Sequence, residues 1–116
     1  MSTNVIFMGW NRAVAGREAQ SGPLFQEFLQ YLGGQQQEGT IQSFESVFLS
    51  PHGGDLNGFV LIRGETSKLD ALQSSEEWLT YTTRAGQMME GLGVVRGATG
   101  ELVMKWMDVW NKVLPT

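Results

Sequence analysis

The feature that most constrains this chain is that its strand-like runs are apolar on both of their alternating faces. The clearest lies in Asn57–Tyr81, NGFVLIRGETSKLDALQSSEEWLTY, where Phe59-Val60-Leu61-Ile62 is opened by Asn57-Gly58 and closed by Gly64. A short apolar run of β-favouring residues between turn formers reads as a central strand covered on both sides. Directly after it, Thr66 or Ser67 can cap one helix. Ser74 or Ser75, followed by Glu76-Glu77, can start a second, because a hydroxyl accepts the first amides and carboxylates favour the positive helix end. Strand, short helix and longer helix follow with almost no linker, and the rest of the chain is expected to be arranged around them.

In chain order, Asn4–Trp10 (NVIFMGW) is another interior strand, with Val5, Phe7 and Gly9 on one face and Ile6, Met8 and Trp10 on the other. Asn11–Gln20 is polar and is expected to be a loop. A helix start is expected at Ser21-Gly22-Pro23, since proline is accepted in a first turn. Leu24, Phe25, Phe28, Leu29 and Leu32 recur at three- and four-residue steps, and Gly33-Gly34 is the expected stop. Thr40–Ser50 alternates mixed faces, with Phe44 and Phe48 on one of them, which suits an edge strand. Pro51–Asp55 turns the chain into the central strand. Trp78, Leu79, Thr82, Ala85, Met88 and Met89 mark the buried stripe of a helix from about Ser75 towards Glu90. Gly91–Gly97 (GLGVVRG) reads as a fourth strand. Leu102, Val103, Trp106, Met107, Trp110, Val113 and Leu114 give a one-sided final helix ended by Pro115, with Trp106 and Trp110 read as packing residues.

The order β-α-β-β-α-β describes a split βαβ sandwich of class α+β, with both main helices on one face of a four-stranded antiparallel sheet. The sheet's other face would then carry bulky apolar residues, from Phe7 or Met8 through Phe59 or Val60 to Val94 or Val95. Four tryptophans, six phenylalanines and six methionines also exceed what one thin layer of helices needs. A second copy of the chain is the economical cover, so a homodimer is expected.

One domain spanning 1–116 suits this length. With no cysteine and no charged-then-apolar leader at Met1-Ser2-Thr3-Asn4, a cytoplasmic protein without disulfides is expected. Eight basic residues, scattered singly, against twelve acidic ones leave no footprint for nucleic acid or an acidic membrane, and no apolar run approaches a bilayer span.

The order βαββαβ, the strand running into GETSKLDALQSSEEW and the late GLGVVRG strand resemble the dimeric α+β barrel group of ferredoxin-like proteins, particularly its small uncharacterised bacterial members. The resemblance covers nearly the whole chain. It implies a ferredoxin-like fold, a two-fold dimer whose sheets close on one another, and a set of activities that includes cofactor-free monooxygenases acting on phenols, haem-degrading enzymes and lactone isomerases. The C-terminal helix from Glu101 to Leu114 goes beyond the group's minimal pattern.

Candidate chemistry is sparse. His52, the single histidine, sits in a turn beside Asp55 and is a candidate general base; the alternative is a solvated turn residue. His52-Gly53-Gly54 has no Gly-x-Ser-x-Gly partner to make it an oxyanion loop. One histidine and no cysteine supply no metal set, and the glycines of Gly91–Gly97 lack the strand-to-helix context of a phosphate loop, so neither metal nor cofactor is expected. Arg63 and Arg96 each end an apolar strand. If their faces line an inter-subunit space they can grip a carboxylate or phenolate; otherwise they pair with Glu65, Glu45 or a helix carboxylate. Trp10, Trp78 and Tyr81 can wall a planar ligand or belong to the core. Two functions follow. One is a small-ligand protein, with its cavity between helices and sheet or at the dimer centre, acting without metal on an aromatic or lactone-like metabolite in the manner of a monooxygenase or isomerase. The other is a non-catalytic dimeric interaction module.

Overall fold

The computed structural model describes residues 2–115. In chain order its elements are β1 (Val5–Trp10), β2 (Arg12–Ala13), α1 (Glu18–Gln37), β3 (Ser43–Phe48), β4 (Gly58–Arg63), α2 (Thr66–Gln73), α3 (Glu76–Met88), β5 (Met89–Glu90), β6 (Gly93–Gly97) and α4 (Glu101–Val113). The four longer strands form one antiparallel sheet in the order β3-β4-β1-β6. The fold is α+β, compatible with a ferredoxin-like arrangement, and β3 is an edge strand.

Register sorts every strand residue to a face, because directly opposed residues point the same way. Ile6 opposes Ile62 and Arg96, and Met8 opposes Val60 and Val94. This face meets Phe28 and Leu32 of α1, Leu69 and Leu72 of α2, and Trp78 of α3 in a single core. The opposite face carries Phe7 against Leu61 and Val95, with Phe59 beside them. Phe7, Phe59 and Leu61 are only half-buried and Val95 is 58% exposed. β4 is therefore interior to the sheet but covered by helices on one side alone, where the sequence pattern suggests cover on both.

Several boundaries differ from the sequence reading. α1 starts at Glu18, ahead of Pro23, and runs through Gly33-Gly34. Its first turn is secured by the Glu18 carboxylate, which accepts the Gly16 N–H, and by Arg17, which donates to the Gln87 carbonyl at 2.6 Å. The helix stops instead at Gly39 (φ +79°), where the N–H groups of Gly39 and Thr40 bond back to Gln36 and Gln35. That pairing is a Schellman closure, which needs the left-handed residue that glycine supplies. In the expected loop Asn11–Gln20, Arg12 and Ala13 pair with Glu90 and Met89 in a two-residue ribbon. Ser75 caps α3 as anticipated, accepting the Trp78 N–H at 3.2 Å. α4 is one-sided as read, yet it buries none of its residues.

Candidate functional site

The inward stripe of α1 and the end of β1 build a pocket on the helix-covered side. Trp10 closes β1 opposite Gly58, and the absence of a Cβ there lets the indole lie flat on the sheet: a methyl at position 58 would come within 2.6 Å of the ring. Trp10 meets Phe25 edge-on at 5.7 Å and Phe48 at 6.1 Å between ring centres, forming one aromatic wall. Phe28 and Tyr81, 5.6 Å apart, form another. Met8 and Val60 of the sheet, with Ala85, Met88 and Leu92, complete a pocket of about 190 Å³ whose surface is almost wholly apolar.

Polar groups stand at its rim. Arg84 donates from both terminal nitrogens to the two carboxylate oxygens of Glu27, each at 3.2 Å, and the Tyr81 hydroxyl donates to Glu27 at 3.4 Å. The Arg84 hydrogen bond holds the Glu27 carboxyl below its ordinary range. Burial, and then the neighbouring Glu27 charge, push the Tyr81 phenol above its ordinary value, so it stays protonated and acts as a donor. Ser21, also in the wall, donates its hydroxyl to the Glu18 carbonyl at 2.9 Å.

The sequence candidates scatter around this pocket. Trp10 and Tyr81 line it. Trp78 is 4% exposed and packs behind it against Phe28, 5.9 Å between ring centres. The two arginines do not share a space. Arg63 lies in a row with Val5 on the face without helices, whereas Arg96 lies in a row with Ile6 on the covered face. Arg63 pairs with Glu45 at 3.0 Å, one of the partners read from the sequence. Arg96 binds Asp70 at 2.7 Å, Gln73, and the carbonyls of Thr3 and Thr66, tying β6 to α2. Strand register thus puts the two guanidiniums on opposite faces of the sheet, each with a carboxylate partner. His52 is held in its own loop: Nδ1 accepts the Gly54 N–H and Nε2 approaches the Leu56 carbonyl at 2.7 Å. Asp55 makes no hydrogen bond to it. No cluster of three or more potential metal ligands occurs among the described residues.

Phe25, Phe48, Glu27 and Arg84 were not singled out from the sequence. Phe25 was visible as part of a helical stripe, and Phe48 as an edge-strand aromatic. Phe25 meets Trp10 through the way α1 crosses the sheet, and Phe48 meets it through strand register, since both oppose Gly58. No protein-family model matches the chain, and no curated protein or solved structure matches it.

Proposed function

We propose that the protein binds a small, uncharged aromatic molecule in the pocket between α1, α3 and the sheet. The observation that carries this is a cavity of about 190 Å³ with aromatic walls and almost no polar surface. An apolar cavity of about 150 Å³ is enough to hold benzene, so the volume suits a single substituted ring. Among the described residues no cationic side chain lines the pocket to neutralise a carboxylate, and burying an unpaired charge costs several kcal/mol. The hydroxyls in the wall, Tyr81 and Ser21, are both engaged at the rim. The pocket therefore favours binding over turnover, and a metal-free monooxygenase- or isomerase-like reaction would depend on Tyr81 to handle a proton. A thermal-shift screen of cresols, toluene and small lactones tests the reading: at a hundredfold excess over its dissociation constant, a ligand stabilises by about 2.7 kcal/mol. No shift with any single-ring compound contradicts it.

A second reading, a dimeric interaction module of the α+β barrel kind, is favoured by a separate observation. The sheet face opposite the pocket presents Phe7, Phe59, Leu61 and Val95, and among the described residues no helix buries them. Contiguous apolar surface of this kind marks an interaction site more often than a free surface. Self-association through that face is compatible with a ligand in the pocket, because the two lie on opposite sides of the sheet.

A further inference from the structure

We infer that α4 is an arm exchanged between two copies of this chain, each arm lying across the open sheet face of the other. The inference rests on the second reading above for the face, and adds what occupies it.

The helix is built to be covered. Glu101, Lys105, Asp108 and Lys112 fall on one narrow strip, and nearly every other position is apolar. Yet Met104, Trp110 and Val113 are 64%, 61% and 75% exposed. The flank containing Leu102, Trp106 and Val109 faces the chain's own body across a gap floored by Ser2 and Thr66. Among the described residues, it is hydrogen-bonded to the body from Trp106 Nε1 to the Ser2 carbonyl at 3.2 Å. The flank turned away repeats Val103, Met107, Trp110 and Leu114 at steps of four, three and four, the spacing of a continuous packing seam. All four side chains of this flank are at least 40% exposed, so it offers apolar surface along its whole length.

Three observations select a second copy as the cover. α4 springs from β6, the edge strand that carries the exposed Val95, after a link of three residues whose base is pinned by Asn4 to Thr99. A two-fold axis beside that edge sets each arm against the other's open face, so one arm and one face per chain leave neither surface over. The sizes also match, since thirteen helical residues span about 20 Å, close to the length of a six-residue strand. On the receiving face, Gly93 has open space where a side chain would stand, leaving room for a bulky group such as Trp110. A membrane surface fits less well: two acidic and two basic residues make the helix neutral, whereas interfacial helices carry an excess of lysine and arginine.

Analytical ultracentrifugation of the full chain tests this, with Trp110→Glu as the arm variant and Leu61→Lys as the face variant, both checked for folding by circular dichroism. Wild type should sediment at twice the 12.8 kDa chain mass. Each variant alone should associate about thirtyfold or more weakly, as for a buried hot-spot residue. Mixing the two should restore a heterodimer, because an intact arm from one chain meets an intact face from the other. A wild-type monomer overturns both the second reading and the arm. A dimer lost in the face variant but kept in the arm variant leaves the second reading standing and overturns the arm. Failure of the mixture to re-associate assigns arm to arm or face to face, and also overturns it. Co-sedimentation of wild type with phosphatidylserine vesicles, with no dimer, assigns α4 to a membrane surface and overturns it as well.

Discussion

The indole of Trp10 lies over Gly58, its cross-strand partner, so closely that a Cβ on residue 58 would sit 2.6 Å from Cζ2 and 2.9 Å from Cε2. Phe48 also opposes Gly58 and flanks the indole from the other side of it, while Phe25 of α1 meets the indole edge-on, so the contact helps to shape the pocket's aromatic wall. Gly58→Ala should destabilise the fold by about 1–3 kcal/mol, the usual cost of overpacking a well-packed site, and shift tryptophan emission. Urea unfolding followed by fluorescence measures both.

The two strand-end arginines should behave differently. Arg96 is the less exposed of the pair, at 20%, and binds two side chains and two carbonyls; Arg63 and Glu45 are 40% and 54% exposed. Arg96→Met leaves part-buried acceptors without a donor and should cost about 1–3 kcal/mol. Arg63→Ala breaks an exposed ion pair and should change stability by about 0.5 kcal/mol or less. Chemical denaturation of the isolated variants gives both values, and equal losses would contradict the assignment of Arg96 as a clamp.

Both tyrosines of the chain are held protonated, Tyr31 chiefly by burial and Tyr81 by burial and then the Glu27 charge. Their phenolate absorbance should therefore appear above pH 10, the ordinary midpoint. A raised folded-state value means that this contribution to stability is complete below the unfolded value near 10 and is lost as pH rises through the folded one. Glu27→Gln removes the charge beside Tyr81 and should lower its midpoint while leaving Tyr31 nearly unmoved.

Glu27 has the opposite sign. Arg84 lowers its pKa, so the stabilisation is complete above the ordinary carboxyl value of 4.5 and is lost as pH falls through the lower folded value. The difference in melting temperature between wild type and Glu27→Gln should be constant from neutrality to about pH 5 and shrink below it. Because the pair is exposed, the difference should be small and should fall further in high salt.

Much of this architecture was legible from local pattern. Alternation in Val5–Trp10 and Phe59–Ile62 and three-four spacing from Leu24 to Leu32 report the side chains' own environment, so the four long strands and the helices emerged in order, whereas the short β2–β5 ribbon did not. The cap at Ser75 was visible because its chemistry is confined to one turn. The start of α1 was not, because Pro23 is a strong local signal and the contacts that extend the helix past it reach Gln87 from Arg17, far away in sequence. The candidate site was legible only in part. Trp10 and Tyr81 stood out as aromatics, but nothing local couples Trp10 to Phe25 and Phe48 across the sheet. The register that puts Arg63 and Arg96 on opposite faces is likewise a property of strand pairing, which composition and spacing do not encode.

The most direct test of the pocket is calorimetric titration of p-cresol into wild type and into Ala85→Phe, whose larger side chain would occupy the cavity beside Tyr81. The account expects wild type to bind one p-cresol per chain, the folded Ala85→Phe variant to bind none, and p-hydroxybenzoate, which carries a charge, to bind neither. Equal binding of p-cresol by both proteins, or tighter binding of the carboxylate, would contradict it.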